Sequence, residues 1–204
     1  MLSGLACQSH VEPDGEDITE RLPLSLEHVR EISGFDEFTR EVDTDEPVGD
    51  DYTPEGPCRD MADQRIVFGA NWTRFKSIAD SGDLPSGGRR PRTSGATGDG
   101  TAPLIVPVMA TVVQNVVVYP DESAARVTFD RHVAAMEECV DLNLPHLGGT
   151  ISRPNQDEVV LLNSGFVSVF SVKSTIIVDV SVVALPDAER IASAISRAIL
   201  DRVD

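Results

Sequence analysis

The spacing of apolar positions predicts a strand that runs directly into an amphipathic helix. Residues 111–119 are rich in β-branched side chains and contain neither glycine nor proline, which is typical of a central β-strand. Pro120 ends this strand because it has no N–H for a sheet ladder, and Asp121 is a good N-cap for a helix. The helix then has one apolar face, formed by Ala125, Phe129, Val133, Met136 and Val140. This unit predicts an α+β domain.

Further elements are predicted on both sides of this unit. Ser25 can cap a helix that ends near Ile32, with Gly34 as its stop signal. Residues 64–68 are predicted to form a short strand, and residues 71–79 are compatible with a continued extended segment. Later strands are predicted at residues 150–153, 158–162, 166–172 and 175–183, and a final helix at residues 187–203. We therefore expect a twisted, mainly antiparallel sheet with helices packed on one face.

Composition divides the chain into a tether and a domain. Residues 1–21 are predicted to be a signal remnant and flexible acidic tether, and residues 22–204 the folded domain, with a mobile loop at 81–102 that is rich in Gly, Ser, Pro and Thr. Cys7 follows Met-Leu-Ser-Gly-Leu-Ala, which is similar to the end of a bacterial lipoprotein signal, so Cys7 is the candidate lipidation residue. A true start site further upstream would explain the short apolar stub.

The net charge of −17 restricts the classes of partner. Nucleic-acid binding through phosphate contacts needs clustered Lys and Arg, so we expect no nucleic acid as partner. Adsorption to anionic lipid is disfavoured for the same reason, and no apolar run reaches the ~20 residues of a membrane span. The expected membrane contact is therefore only a lipid anchor on Cys7.

Three cysteines, at positions 7, 58 and 139, include no C-x-x-C pair, so a metal ribbon has no support. Cys58 and Cys139 each stand at the edge of a predicted element and form the natural disulfide pair. A bridge between them spans 81 residues, which a chain-entropy estimate values at roughly 4–5 kcal/mol. The alternative is that both are buried thiols in a cytosolic protein.

Motifs for catalysis are mostly absent from the sequence: it has no G-x-S-x-G elbow, P-loop, dinucleotide fingerprint or H-E-x-x-H helix. No two histidines have metal-ligand spacing, so we expect no metal, no cofactor and no catalytic residue. The alternative is a small hydrolase that uses His132 or His146 with a carboxylate and a serine. Asp179 interrupts an apolar run, and alternation places it opposite Val178 and Val180, facing either solvent or a cleft.

The order of these segments resembles the PknH-like extracellular sensor domain, found on mycobacterial receptor kinases and on related lipoproteins. The resemblance covers about residues 24–203 and is carried by the leading Leu-Ser helix, Pro57-Cys58, the segment 69–73, the segment 113–120, the helix 124–139, the segment 177–180 and the closing Ala/Ile helix. The family's first disulfide corresponds to Cys58 and Cys139. Family members commonly have Trp where this chain has Met136, and a second disulfide that nothing after Cys139 could supply.

The resemblance implies an extracytoplasmic, non-catalytic sensor domain at the cell envelope. It would bind a small envelope ligand or a protein partner, and the chain carries no kinase domain of its own. The candidate ligand-binding residues are Asp179, Gln114 and Trp72. A pure protein-interaction module is the remaining alternative, and its mark would be an exposed apolar patch of several hundred Å² without a pocket.

Overall fold

Seven strands form a single, fully antiparallel sheet in the computed structural model, which describes residues 18–84, 108–144 and 149–203. The strands lie in the order β1-β2-β3-β7-β6-β5-β4. Their bounds are Thr39–Thr44 (β1), Arg74–Asp83 (β2), Met109–Val118 (β3), Thr150–Asn155 (β4), Glu158–Leu162 (β5), Phe166–Lys173 (β6) and Ile176–Val183 (β7). The predicted α+β class, the antiparallel sheet and the central position of the strand before Pro120 are confirmed.

Six helices accompany the sheet in the described ranges: Ile18–Arg21 (α1), Leu26–Ser33 (α2), Pro57–Ala62 (α3), Gln64–Phe68 (α4), Glu122–Asp141 (α5) and Ala188–Leu200 (α6). The expectation that helices pack on one face of the sheet is wrong. Helices α2 and α6 cover one face, and α3, α4 and α5 lie over the other. None of the helices in these ranges combines the length and apolar character needed to cross a bilayer.

Alternation along the strands supplies each face with its own apolar core. On β7, Val178 and Val180 pack with Ile191 and Ile195 of α6, whereas Ile177 belongs to the opposite core. The central strands carry apolar side chains on both faces because both faces are covered. This two-sided burial is the reason that β3 and β7 read as nearly continuous β-branched runs.

The caps of two helices follow the sequence signals. The Ser25 side chain accepts a hydrogen bond from the backbone N–H of His28, and Gly34 takes the left-handed conformation after α2. Asp121 caps α5 by accepting from Ala124 N at 2.8 Å. The predicted starts of both helices are therefore confirmed.

The disulfide between Cys58 and Cys139 is confirmed, with Cα atoms 4.7 Å apart. It joins α3 to the last turn of α5, and Cys139 is fully buried. Because α4 begins two residues after α3 ends, the bridge also holds α4 close to α5 over the second face of the sheet.

Four local expectations need correction. Residues 64–68, predicted as a strand, form helix α4 because the Asp63 side chain caps the N–H of Arg65. Strand β1 was not predicted, since its positions are almost all exposed, half of them are charged, and they show no alternation of apolar and polar residues. Ile18–Arg21, part of the expected flexible tether, form α1, and residues 81–83 of the expected loop belong to β2. Residues 85–102 of that loop and Cys7 lie outside the described residues.

Candidate functional site

A cavity of about 290 Å³ lies between the sheet and the helices of its second face. Strand residues form its floor, the helices α3 and α4 form one wall, and α5 contributes a single side chain. It is lined by Met61, Ala62, Gln64, Val67, Phe68, Val113, Asn115, His132, Leu161, Phe166, Ser168, Asp179 and Ser181. Seven of these side chains are apolar and six are polar, and such a combination of apolar surface with polar groups is found in small-molecule sites.

The N-terminus of the α4 wall is held by a buried carboxylate. Asp63 accepts hydrogen bonds from Arg65 through both the backbone N–H, at 2.9 Å, and the guanidinium, at 2.9 and 3.1 Å. The Arg65 hydrogen bond lowers the pKa of Asp63 to about 2. The cap therefore stays ionised at any ordinary pH, and α4 keeps its place above the sheet.

The C-terminal carbonyl groups of α4 are bound by three side chains from other parts of the chain. Tyr119 Oη donates to the carbonyl of Phe68 at 3.0 Å, and Arg131 Nη2 donates to that of Val67 at 2.9 Å. Trp72 Nε1 donates to the carbonyl of Gly69 at 3.0 Å. Burial raises the pKa of Tyr119 to about 12, so its hydroxyl remains a donor. A helix of only five residues is thus fixed by tertiary contacts.

Asp179 lies at the centre of the polar part of the cavity. Its Oδ2 accepts from Asn115 Nδ2 at 2.9 Å, and its Oδ1 accepts from Ser168 Oγ at 2.8 Å. Asn115 is itself oriented by Gln64 Nε2, which donates to its Oδ1 at 3.2 Å, while Gln64 Oε1 accepts from Val48 N at 2.9 Å. The result is a directional chain of hydrogen bonds that ends on the carboxylate.

Burial raises the pKa of Asp179, and the hydrogen bonds from Asn115 and Ser168 oppose that rise only in part. Folding therefore disfavours the charged form of Asp179 relative to an exposed aspartate, and holding that charge costs folding free energy. A positive group placed in the cavity would reduce this cost.

His132 also lines the cavity, but its surroundings do not suit proton transfer. The side chain is buried beneath the ring of Phe170, with ring centroids 4.3 Å apart, and Nδ1 has no hydrogen-bond partner among the described residues. Burial, helped by the charge of Arg131, lowers the pKa of His132 to about 3. It forms no hydrogen bond with a serine or carboxylate of the described ranges. The hydrolase arrangement with His132 is therefore not assembled, and His146 lies outside the described residues.

Of the three candidate ligand-binding residues, only Asp179 reaches the cavity. Gln114 is fully buried on the opposite face, where it accepts from Leu24 N at 2.8 Å and donates to Leu24 O at 3.3 Å. Trp72 is partly buried beside Phe75 and holds the end of α4, as described above. Both side chains therefore support the fold rather than line the cavity.

Sequence reasoning missed three residues of the hydrogen-bond network around Asp179: Gln64, Asn115 and Ser168. Asn115 carried a signal, because an amide within a β-branched run needs a buried partner. Its partner depends on register, since Asn115 on β3 pairs with Asp179 on β7, and Asp179 pairs with Phe170 on β6. In the described ranges no group of three or more His, Cys, Asp or Glu side chains is arranged to hold a metal ion.

The comparison with protein families decides the relationship of the chain. The model of the family described as the PknH-like extracellular domain matches residues 16–202. The chain belongs to this family. Membership of the PknH-like extracellular domain family supports an extracytoplasmic, sensor-like domain.

The fold is shared with a solved structure at low sequence identity. It is the crystal structure of the extracellular domain of PknH from Mycobacterium tuberculosis, with a TM-score of 0.65 and 16% identity over 94% of this chain and 97% of that one. Comparison with curated proteins gives no match. The shared fold with so few identical residues means that site residues must be argued from this chain's own contacts.

Proposed function

We propose that this member of the PknH-like extracellular domain family is a non-catalytic sensor that binds a small cell-envelope ligand in the cavity around Asp179. The proposal is supported by a cavity that has an apolar wall next to the polar group Asp179. Hydrogen bonds that run from Gln64 through Asn115 hold the Asp179 carboxylate in a fixed orientation. Polar groups held in fixed positions inside an apolar pocket provide orientation and specificity for a ligand.

The cavity favours this proposal over the other two functions considered. A hydrolase needs a base near neutral pKa that reaches a nucleophile, and His132, with its pKa of about 3 and unpaired Nδ1, is unsuited to that role. A pure interaction module would show a large apolar patch and no pocket, whereas this domain has a pocket between its sheet and the helices α3 and α4.

We further propose that Cys7 carries a lipid that anchors the domain to the membrane. The small residues before Cys7 support this, and the extracellular family is consistent with the oxidised Cys58–Cys139 pair. Mass spectrometry of the membrane-associated protein, compared with a Cys7→Ser variant, should find an acyl-modified N-terminal peptide that is absent from the variant. Free, unmodified Cys7 in the native protein would contradict the anchor.

The ligand proposal is tested by blocking the cavity. Ala62 is exposed at the end of α3 and lines the cavity, so Ala62→Trp should fill it without disturbing the core. Fractions of a bacterial cell-envelope extract should raise the melting temperature of the native domain and of a control, Val127→Trp, but not of Ala62→Trp. Val127 is 63% exposed on α5 and does not line the cavity. An equal response of all three proteins, or of none, would reject the cavity as the ligand site.

A further inference from the structure

We infer that the cavity selects a ligand with a positively charged amine on a small apolar body, and this inference rests on the proposed function. It follows from the character of the polar groups that face the cavity rather than from its shape alone. The central group is the carboxylate of Asp179, and we expect the ligand to supply the positive countercharge that this carboxylate lacks.

Asp179 has no basic partner in the part of the chain that the structure describes. Neither lysine nor arginine occurs among the described residues that line the cavity, and the partners of the carboxylate are the neutral groups of Asn115 and Ser168. Among the lining residues that the structure describes, the one basic side chain is His132, which is neutral because its pKa is about 3. Asp179 is half-buried, and a carboxylate in such a setting without a countercharge is unfavourable, so a cationic ligand would provide the missing charge.

The hydrogen-bond donors next to the carboxylate are directed at it. Ser168 spends its one hydroxyl hydrogen on Asp179 Oδ1, and Asn115 directs one of its two amide hydrogens to Oδ2 while its own carbonyl accepts from Gln64. Each carboxylate oxygen retains acceptor capacity, since a carboxylate has about four lone-pair sites. A ligand anion or a pure acceptor would meet repulsion there, whereas an ammonium group brings three donors.

The remaining lining suits an apolar body next to the ammonium. Val67 and Phe68 of α4 face Leu161 and Phe166 of the sheet across the cavity, and aromatic rings tolerate a nearby cation well. The cavity of about 290 Å³ lies at the small end of ligand sites, at or below the usual ~300–1,000 Å³. The net charge of −17 further favours the approach of a cation.

Three probes of nearly equal size test the inference: 2-phenylethylamine, 2-phenylethanol and phenylacetate. Each is titrated into the full-length domain at pH 7, with affinity from calorimetry and location from amide NMR shifts at Val113 and Ser181. We expect the amine to bind at least ten-fold more tightly than the alcohol, with no binding of phenylacetate. In Asp179→Asn the preference for the amine should disappear, whereas Asp130→Asn, which removes an exposed charge on α5, should keep it.

The outcomes separate this inference from the proposed function. Equal affinity of amine and alcohol at the cavity would overturn the charge preference and leave ligand binding there intact. Absence of binding by all three probes would also overturn the inference as stated, while the envelope-extract experiment would decide the proposed function independently. The comparison of probes in the native protein needs no variant, so a folding defect in Asp179→Asn could not obscure the result.

Discussion

The buried histidine of helix α5 makes the stability of this domain depend on pH in a defined way. His132 is 4% exposed and packs against Phe170, and its Nδ1 has no hydrogen-bond partner among the described residues. Protonation would place a positive charge in this apolar setting without a compensating acceptor at Nδ1. The native state therefore keeps the imidazole of His132 neutral, whereas in the unfolded chain the same ring accepts a proton near pH 6.5.

The sign and size of the effect follow from the two pKa values. Between pH 6.5 and about 3 the unfolded state binds more protons at this position than the native state, so the free energy of unfolding falls as the pH falls. At ~1.36 kcal/mol per pH unit the complete effect is on the order of 4–5 kcal/mol, and between pH 6.5 and 4.5 it is about 2–3 kcal/mol. Asp179, whose pKa is raised, acts in the opposite sense: its contribution to stability is lost as the pH rises above 3.8 through its folded pKa.

Urea unfolding followed by fluorescence of Trp72, the single tryptophan, measures this effect. We expect the native domain to lose about 2–3 kcal/mol more than His132→Leu between pH 6.5 and 4.5, because the variant has no titrating ring. Taking the difference between the two proteins cancels the contributions of Asp179 and the surface carboxylates. His28→Gln, a change at an exposed histidine, should follow the native curve. Parallel pH dependences for the native domain and His132→Leu would refute the reasoning.

Three other predictions follow from individual contacts. Replacing both Cys58 and Cys139 by serine should lower the free energy of unfolding by about 3–5 kcal/mol, because the unfolded chain is then no longer closed by a bridge between residues 81 positions apart. A urea midpoint of the native domain that is the same with and without reductant would contradict this. Gln114→Leu leaves the N–H and C=O of Leu24 buried without partners, so we expect the free energy of unfolding in urea to fall by about 2–5 kcal/mol while ligand affinity stays unchanged. Weakened ligand binding with normal stability would instead place Gln114 in the binding site. The ammonium group of Lys76 is paired with three carboxylates at 2.6–3.1 Å, and the side chain is only 9% exposed. Lys76→Met should lower the free energy of unfolding by about 1–2 kcal/mol at low salt and by less at 1 M NaCl, which screens the repulsion among the remaining carboxylates. A loss that does not change with salt would show that packing alone is responsible.

The strands and helices with strong periodicity were predictable from the chain alone. The β-branched run before Pro120, the capped helix after Asp121 and the alternating segment around Asp179 all keep the predicted structure, because one local pattern determines each. Helix α4 was misread as a strand, since five residues carry too little periodicity to distinguish the two. Its helical state depends on the cap from Asp63 and on donors that arrive from distant positions.

The candidate site was only partly visible in the sequence. Alternation correctly separated Asp179 from the apolar face of β7, but could not say whether the opposite face met solvent or other residues. The roles of Asn115 and Ser168 depend on the register of three strands, and that of Gln64 on the placement of α4. Gln114, adjacent to Asn115, points to the other face and therefore has a structural role.

By itself the sequence determined the class of the fold, the order of most elements and the pairing of Cys58 with Cys139. These features depend on local periodicity, on caps and breakers, and on the small number of cysteines. Only the tertiary structure decided that helices cover both faces of the sheet and that an isolated carboxylate lies within a cavity. Both depend on contacts between residues far apart in the chain, such as Gln64 with Asn115 and Asn115 with Asp179, which no local pattern encodes.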